Sequence, residues 1–165
     1  MGRTPGRKGV LIQMGETNKK KVLIADDEPA VRQLVHRILS KDYVVFEAQD
    51  GSEAVDIVLS QKPDIILMDM MMPRVDGLTA CYTIKTDEAT KEIPVVMITA
   101  VGFDLNKRLS QDIMGADGYI TKPFTPQELQ SAVDHFLGES PEKTPASGKK
   151  PSPEKAPQRA KPRRS

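Results

Sequence analysis

The chain has 165 residues, of which 38% are hydrophobic, and its formal net charge at pH 7 is +1. No apolar run approaches the roughly 20 residues that cross a bilayer, and no apolar segment follows the basic N-terminus, so the sequence predicts neither a membrane span nor a secretory signal. The single cysteine, Cys81, excludes an intramolecular disulfide and is typical of a reducing cytoplasmic compartment.

The small net charge hides an uneven distribution. Residues 1–21 contain six Lys or Arg and one Glu, and residues 141–165 contain eight Lys or Arg and two Glu. Since the whole chain has 24 basic and 23 acidic residues, residues 22–140 keep 10 basic and 20 acidic ones, a net charge of −10. An acidic domain repels phosphates, so its bulk charge argues against nucleic-acid binding.

Composition divides the chain into three parts. We predict a disordered basic extension over residues 1–19, where Met14 is an alternative start to Met1. Residues 20–138 form the predicted folded domain. Residues 139–165 form a basic tail with six prolines, and it has too little apolar surface to offset the entropy lost on ordering.

Short apolar runs alternate with amphipathic stretches along the predicted domain. Continuous apolar runs suit strands that are buried on both faces of a parallel sheet. The predicted strands are residues 21–25, 43–48, 64–69, 94–100 and 118–121. Apolar residues at helical spacing predict five helices, the first over 28–40 and the others around 54–59, 78–84, 105–113 and 129–137. This alternation predicts an α/β domain with a doubly wound five-stranded parallel sheet.

Three helix starts have local signals. Pro29 lies near the first turn of the first helix, where its missing N–H costs nothing. Ser52 is a candidate N-cap of the second helix, after a predicted turn at Asp50-Gly51, and Asp27 could cap the first helix. The segment TPQE, residues 125–128, has the pattern of a capping box.

Polar side chains lie at the carboxyl ends of four predicted strands. They are Asp26 and Asp27 after the first strand, Asp69 at the third, Thr99 at the fourth and Lys122 after the fifth. In an open parallel sheet, these strand ends form the edge where ligands bind. Clustered carboxylates repel one another unless a cation joins them, and Mg²⁺ prefers such oxygen ligands.

Carboxylates with Mg²⁺, an ammonium and a hydroxyl can neutralise the spread negative charge of a phosphoryl group. A carboxylate in that setting can act as the nucleophile that accepts the group, and Asp69 is the candidate. For any one of these residues, a simple salt bridge or helix cap remains an alternative interpretation.

The motifs IADDEP, LMDMMMPRVDG, VVMITA and GADGYITKPF resemble the receiver domain of bacterial two-component response regulators. The resemblance covers residues 20–138, and the four motifs occur in order at suitable spacing. It implies a flavodoxin-like sheet with strand order 2-1-3-4-5 and five helices.

The resemblance also implies roles for individual residues. Asp69 would be the phospho-acceptor, Thr99 would donate a hydrogen bond to the phosphoryl group, and Lys122 would pair with one of its oxygens. The Lys122–Pro123 peptide bond is expected to be cis. Tyr119 would be a switch residue that follows Thr99 inward, where Ala100 leaves room. The expected Mg²⁺ ligands are Asp26, Asp27, Asp69 and the backbone carbonyl of Met71.

The function implied is that of a stand-alone receiver in a phosphorelay. A histidine kinase or phosphotransfer protein would supply the phosphoryl group, and the face formed by the fourth helix, fifth strand and last helix would control a downstream protein. We expect no enzyme activity beyond self-catalysed phosphotransfer and autodephosphorylation, and no DNA-binding domain. The basic tail is expected to be a solvated extension without a function of its own, or to contact an acidic partner, nucleic acid or an anionic membrane surface.

Two positions depart from the better-known chemotaxis members of the family. Met71 and Val101 are apolar where many members have polar side chains, which predicts a slowly hydrolysed phosphoryl group. Among other classes, a haloacid dehalogenase-type phosphatase would need an aspartate at position 71, and a nucleotide-binding module would need a glycine-rich loop after the first strand. A degenerate receiver that only binds partners is the more serious alternative.

Overall fold

The computed structural model describes residues 18–100 and 115–138. These ranges contain β1 (Lys21–Ala25), α1 (Pro29–Leu39), β2 (Val44–Ala48), α2 (Gly51–Gln61), β3 (Ile65–Asp69), α3 (Gly77–Thr86), β4 (Val95–Ala100), β5 (Gly118–Lys122) and a C-terminal helix (Pro126–Leu137). The strands are all parallel, in the order β2-β1-β3-β4-β5. The predicted fold and strand order are therefore confirmed.

Several predictions fall on residues outside the described ranges. They are the helix around 105–113, the role of Val101, and most of the two predicted extensions. Within the described ranges, the ends of every predicted strand and of the first helix agree with the structure to within one residue.

The sheet is covered on both faces, as its apolar strands require. β3 is buried along its whole length, and its residues alternate between two apolar clusters. One cluster packs against α2 and α3, through Ala54, Val58, Ala80, Cys81 and Ile84. The other packs against α1 and the C-terminal helix, through Val35, Leu39, Leu129 and Val133. Cys81 is thus a packed core residue, and burial raises the pKa of its thiol to about 11.

Strand register brings the polar strand ends to one level. Ala25 pairs with Met68, so Asp26 follows β1 at the level where Asp69 ends β3. Asp69 in turn pairs with Ile98, the residue before Thr99. Ala100 pairs with Lys122 across β4 and β5. The residues predicted to form a site therefore meet at a single edge of the sheet.

The helix starts confirm two predictions, correct one and exclude one alternative interpretation. Pro29 is at the start of α1, and Thr125 with Glu128 forms a capping box on the C-terminal helix. Asp27 does not cap α1, whose N-cap residue is Glu28 without a side-chain cap bond.

The prediction that Ser52 caps α2 is also wrong. The Asp50 side chain accepts the N–H of Glu53 at 3.0 Å, and Ser52 already lies inside the helix. Gly51, the first residue of the helix, lies against Val75, whose carbonyl oxygen would be 2.6 Å from a Cβ at that position, so the close contact excludes a larger side chain there.

No helix in the described ranges is long and apolar enough to cross a membrane.

Candidate functional site

Three carboxylates converge at the carboxyl edge of the sheet. Asp26, Asp27 and Asp69 each present an oxygen, and these oxygens lie within 4.8 Å of one another. Asp26 and Asp69 are buried, whereas Asp27 is exposed. Buried carboxylates this close repel one another, and a divalent cation that takes oxygen ligands would relieve that repulsion. The donor set therefore fits a metal such as Mg²⁺.

Lys122 places its ammonium among these acids. Its Nζ lies 2.8 Å from Asp26 Oδ2, 3.3 Å from Asp69 Oδ1 and 3.5 Å from Glu28 Oε1. The Lys122–Pro123 peptide bond is cis, as the resemblance implied. The contact with Glu28 was not predicted, although Glu28 stands within the motif IADDEP.

Burial and charge set the protonation states of Asp69 and Lys122. Desolvation, with a contribution from the charge of Asp26, raises the pKa of Asp69 to about 6, against the opposing effect of Lys122. Desolvation by itself would lower the pKa of Lys122, but the hydrogen bond to Asp26 and the charges of Asp69 and Asp26 outweigh it and raise that pKa. Lys122 therefore keeps its positive charge at neutral pH.

The Asp26 side chain is held at both of its oxygens. Oδ1 accepts the N–H of Glu28 at 2.9 Å, and Oδ2 accepts from Lys122. The main-chain N–H of Asp26 extends the pairing with β2 by donating to the Ala48 carbonyl at 3.1 Å. The carboxylate is consequently fixed before any ligand arrives.

The loop after β3 turns tightly beneath Asp69. A Cβ at Gly77 would lie 1.9 Å from the Asp69 carbonyl oxygen, so only glycine allows this approach. The Gly77 N–H donates to the Met70 carbonyl at 3.0 Å, and the Met70 N–H donates to the Ile98 carbonyl at 3.1 Å. Glycine at this position therefore lets α3 begin directly against the strand end that presents Asp69.

Thr99 supplies a hydroxyl at the same edge. It is 1% exposed, and its Oγ1 is the buried side-chain polar atom for which the described part of the chain offers no hydrogen-bond partner. A buried hydroxyl without a partner is costly, so a ligand oxygen beside it would be stabilising. This observation fits a phosphoryl oxygen bound at this edge of the sheet.

The pocket itself is a cavity of about 260 Å³. It is lined by Asp27, Glu28, Asp69, Met70, Met71, Ala100 and Lys122. Of the three consecutive methionines, Met70 and Met72 are buried, whereas Met71 is 65% exposed. The proposed effect of Met71 on hydrolysis, and its backbone carbonyl as a metal ligand, both remain predictions.

Tyr119 lies on β5 with 42% of its surface exposed, between the buried residues Gly118 and Ile120. The structure therefore brings Asp26, Asp27, Asp69, Thr99 and Lys122 to one edge, with Tyr119 on the surface. The inward movement of Tyr119 stays a prediction.

Comparison with known proteins gives consistent matches. The family model described as the response regulator receiver domain matches residues 22–134. A probable transcriptional regulator, ycf27, of Guillardia theta is 40% identical over 120 residues, which are 72% of this chain and 46% of that protein. The phosphate regulon transcriptional regulatory protein PhoB of Pseudomonas aeruginosa is 40% identical over 119 residues, 72% of this chain and 52% of that protein. The chain thus spans about half the length of the curated relatives it matches.

Two solved structures match over nearly their whole length. A putative response regulator from Chloroflexus aurantiacus superposes with a TM-score of 0.68 at 33% identity, covering 73% of this chain and 98% of that one. The chemotaxis protein CheY4 of Vibrio cholerae gives a TM-score of 0.68 at 30% identity, covering 72% of this chain and 99% of that one.

Proposed function

The chain belongs to the response regulator receiver domain family, and on that premise we propose that Asp69 accepts a phosphoryl group from a phosphohistidine. The observation that carries the proposal is the convergence of Asp26, Asp27, Asp69 and Lys122 beside the hydroxyl of Thr99. The donor would be a histidine kinase or a phosphotransfer protein.

In the proposed reaction, an Asp69 carboxylate oxygen attacks phosphorus in line with the leaving imidazole. An O–P bond forms as the N–P bond breaks, and the imidazole nitrogen keeps the electron pair and takes a proton from solvent. Lys122 neutralises charge on the transferred group, and the Thr99 hydroxyl donates to one of its oxygens. Bound at the three carboxylates, Mg²⁺ would add further charge neutralisation and orient the phosphoryl oxygens.

The raised pKa of Asp69 favours this assignment for the nucleophile. A carboxylate with a pKa of about 6 is ionised at neutral pH, yet it is more basic than an exposed aspartate. The neighbouring ammonium of Lys122 and a bound cation would keep it ionised and ready to react.

Direct phosphorylation tests the proposal and separates it from a degenerate receiver. We expect incubation with acetyl phosphate or phosphoramidate and Mg²⁺ to add one phosphoryl group, read by intact mass. Asp69→Asn should abolish the addition, whereas Asp56→Asn, at an exposed position on α2, should leave it unchanged. No addition to the wild-type chain, or undiminished addition to Asp69→Asn, would contradict the proposal.

The output of the domain is also a proposal. Phosphorylation would shift the population of two conformations and thereby alter which proteins bind near β5 and the C-terminal helix. Several relatives are transcriptional regulators by name and about twice as long as the matched region, so DNA-linked output through a further segment is an alternative to a stand-alone receiver. A phosphotransfer profile against the purified histidine kinases of the host would identify the input partner.

A further inference from the structure

The β1–α1 loop is braced by a guanidinium that lies outside the acid cluster. Arg32 on α1 donates from Nη1 to the backbone carbonyl of Asp26 at 2.7 Å. The Arg32 side chain is 16% exposed, and Asp26 is completely buried. A buried carbonyl at the end of a strand needs a donor, and a guanidinium is a strong one because its N–H groups are charged.

The Arg32 guanidinium is itself held by a carboxylate on the neighbouring strand, β2. Arg32 Nε lies 3.5 Å from Glu47 Oε2 on β2, and Glu47 Oε1 lies 2.8 Å from His36 Nδ1 on α1. Because the guanidinium is planar and has several donors in fixed directions, it can bridge two acceptors without swivelling. Arg32 therefore links α1 and β2 to the main chain of Asp26.

The main chain at Asp26 determines where the carboxylates of Asp26 and Asp27 lie. Asp26 and Asp27 are consecutive, and the carboxylate of Asp26 is shared between the Glu28 N–H and the Lys122 ammonium. Movement of the Asp26 carbonyl would displace this carboxylate and alter the spacing to Asp69. Mg²⁺ requires nearly octahedral geometry, so it tolerates such displacement poorly.

From these contacts we infer that Arg32 is a positioning residue, whose guanidinium holds the Asp26–Asp27 segment in the geometry that binds Mg²⁺. The inference rests on the proposed function, because it deepens the account of the same site. Groups that orient metal ligands without touching the metal commonly change metal affinity by about 10- to 100-fold when they are removed.

A positioning role and a simple charge effect predict opposite changes in Mg²⁺ affinity when Arg32 is removed. Arg32 is a cation near three carboxylates, so by charge alone its removal would tighten Mg²⁺ binding. If it positions the ligands, Arg32→Met should weaken Mg²⁺ binding by about tenfold, measured by calorimetry without any phosphoryl donor. Arg37→Met, an exposed position on the same helix, provides the matched loss of charge and should leave the affinity within about twofold.

A metal-free measurement reports the position of Asp26 directly. In the absence of Mg²⁺, hydrogen exchange of the Glu28 amide, which donates to Asp26 Oδ1, should accelerate about tenfold in Arg32→Met and remain near the wild-type rate in Arg37→Met. Arg32→Lys keeps the charge and one donor but cannot form the two-acceptor bridge, so its Mg²⁺ affinity should fall about threefold. This variant also serves if Arg32→Met does not fold.

Unchanged or tighter Mg²⁺ binding in Arg32→Met, or in Arg32→Lys if only that variant folds, would overturn the inference. So would an unchanged Glu28 exchange rate. Failure of the proposed function would look different, since the wild-type chain itself would then take up no phosphoryl group while the exchange comparison still reported on Arg32.

Discussion

At the scale of single residues, the chemistry proposed for this protein depends on the burial of Asp69. Burial raises its pKa to about 6, and the charge of Asp26 adds to this effect, while Lys122 opposes it. Between about pH 4 and 6 the folded protein therefore retains a proton that the unfolded chain releases. The contribution of this group to the free energy of unfolding falls as the pH rises through that window.

Replacing the carboxylate should therefore stabilise the metal-free protein. We expect Asp69→Asn to raise the free energy of unfolding by roughly 1–3 kcal/mol at about pH 7.5, because the amide avoids the cost of a buried charge. The gain should disappear near pH 4, where Asp69 is protonated in the folded state. Urea titrations at the two pH values measure it, with Asp56→Asn as the exposed control. Equal stabilities at the higher pH would show that Asp69 is well solvated.

At the scale of secondary structure, the start of α2 is fixed by one buried acid. Asp50 is 5% exposed, its side chain accepts the N–H of Glu53, and it forms an ion pair with Arg74 in the loop after β3. The hydrogen bond from the Glu53 backbone, with the charge of Arg74, lowers the pKa of Asp50 despite its burial. Asp50 thus connects the helix start to the loop that leaves Asp69.

The two candidate caps can be separated by substitution. Asp50→Ala should lower the free energy of unfolding by about 1–2 kcal/mol, because it removes the acceptor of an otherwise unpaired helical N–H. Ser52→Ala should change it by less than about 0.5 kcal/mol, since Ser52 is an exposed helical position. Chemical denaturation at neutral pH measures both variants, and Asp50→Asn, which keeps a capping oxygen, should lie between them. A larger effect at Ser52 than at Asp50 would contradict the observed cap.

At the scale of the whole molecule, folding concentrates negative charge at one edge of an acidic domain. Residues 22–140 have a net charge of −10, and three of their carboxylates lie within 4.8 Å of one another. A cation that binds this arrangement and has no comparable site on the unfolded chain must stabilise the fold. Stability should therefore depend on divalent metal as well as on the apolar core.

Metal addition should raise the melting temperature through this linkage. At a Mg²⁺ concentration about 100 times the dissociation constant, the gain in unfolding free energy is expected to be about 2.7 kcal/mol. In Asp27→Asn most of the gain should be lost, although the substitution of an exposed residue should barely alter the metal-free protein. Thermal melts with Mg²⁺ and with a chelator make the comparison. An equal gain in both proteins would indicate that Mg²⁺ acts elsewhere on the chain.

The sequence by itself was enough to predict the strands, the strand-end acids and the capping box at Thr125. Those features depend on local chemistry. Buried parallel strands appear in a sequence as continuous apolar runs. A capping box needs only residues that are neighbours along the chain. The cap of α2 is a local contact between Asp50 and Glu53, which the prediction of Ser52 missed. The ion pair of Asp50 with Arg74 is not local, because Arg74 belongs to a loop more than twenty positions away.

Tertiary structure alone decided which groups hold the candidate site in place. The ion pair of Arg32 with Glu47, and the contact of Lys122 with Glu28, join segments that come together only when the strands pair. The hydroxyl of Thr99, buried without a hydrogen-bond partner among the described residues, likewise depends on the strands being in register. Sequence patterns identify residues able to perform the chemistry, whereas distances, burial and the resulting pKa of Asp69 arise from packing between distant segments.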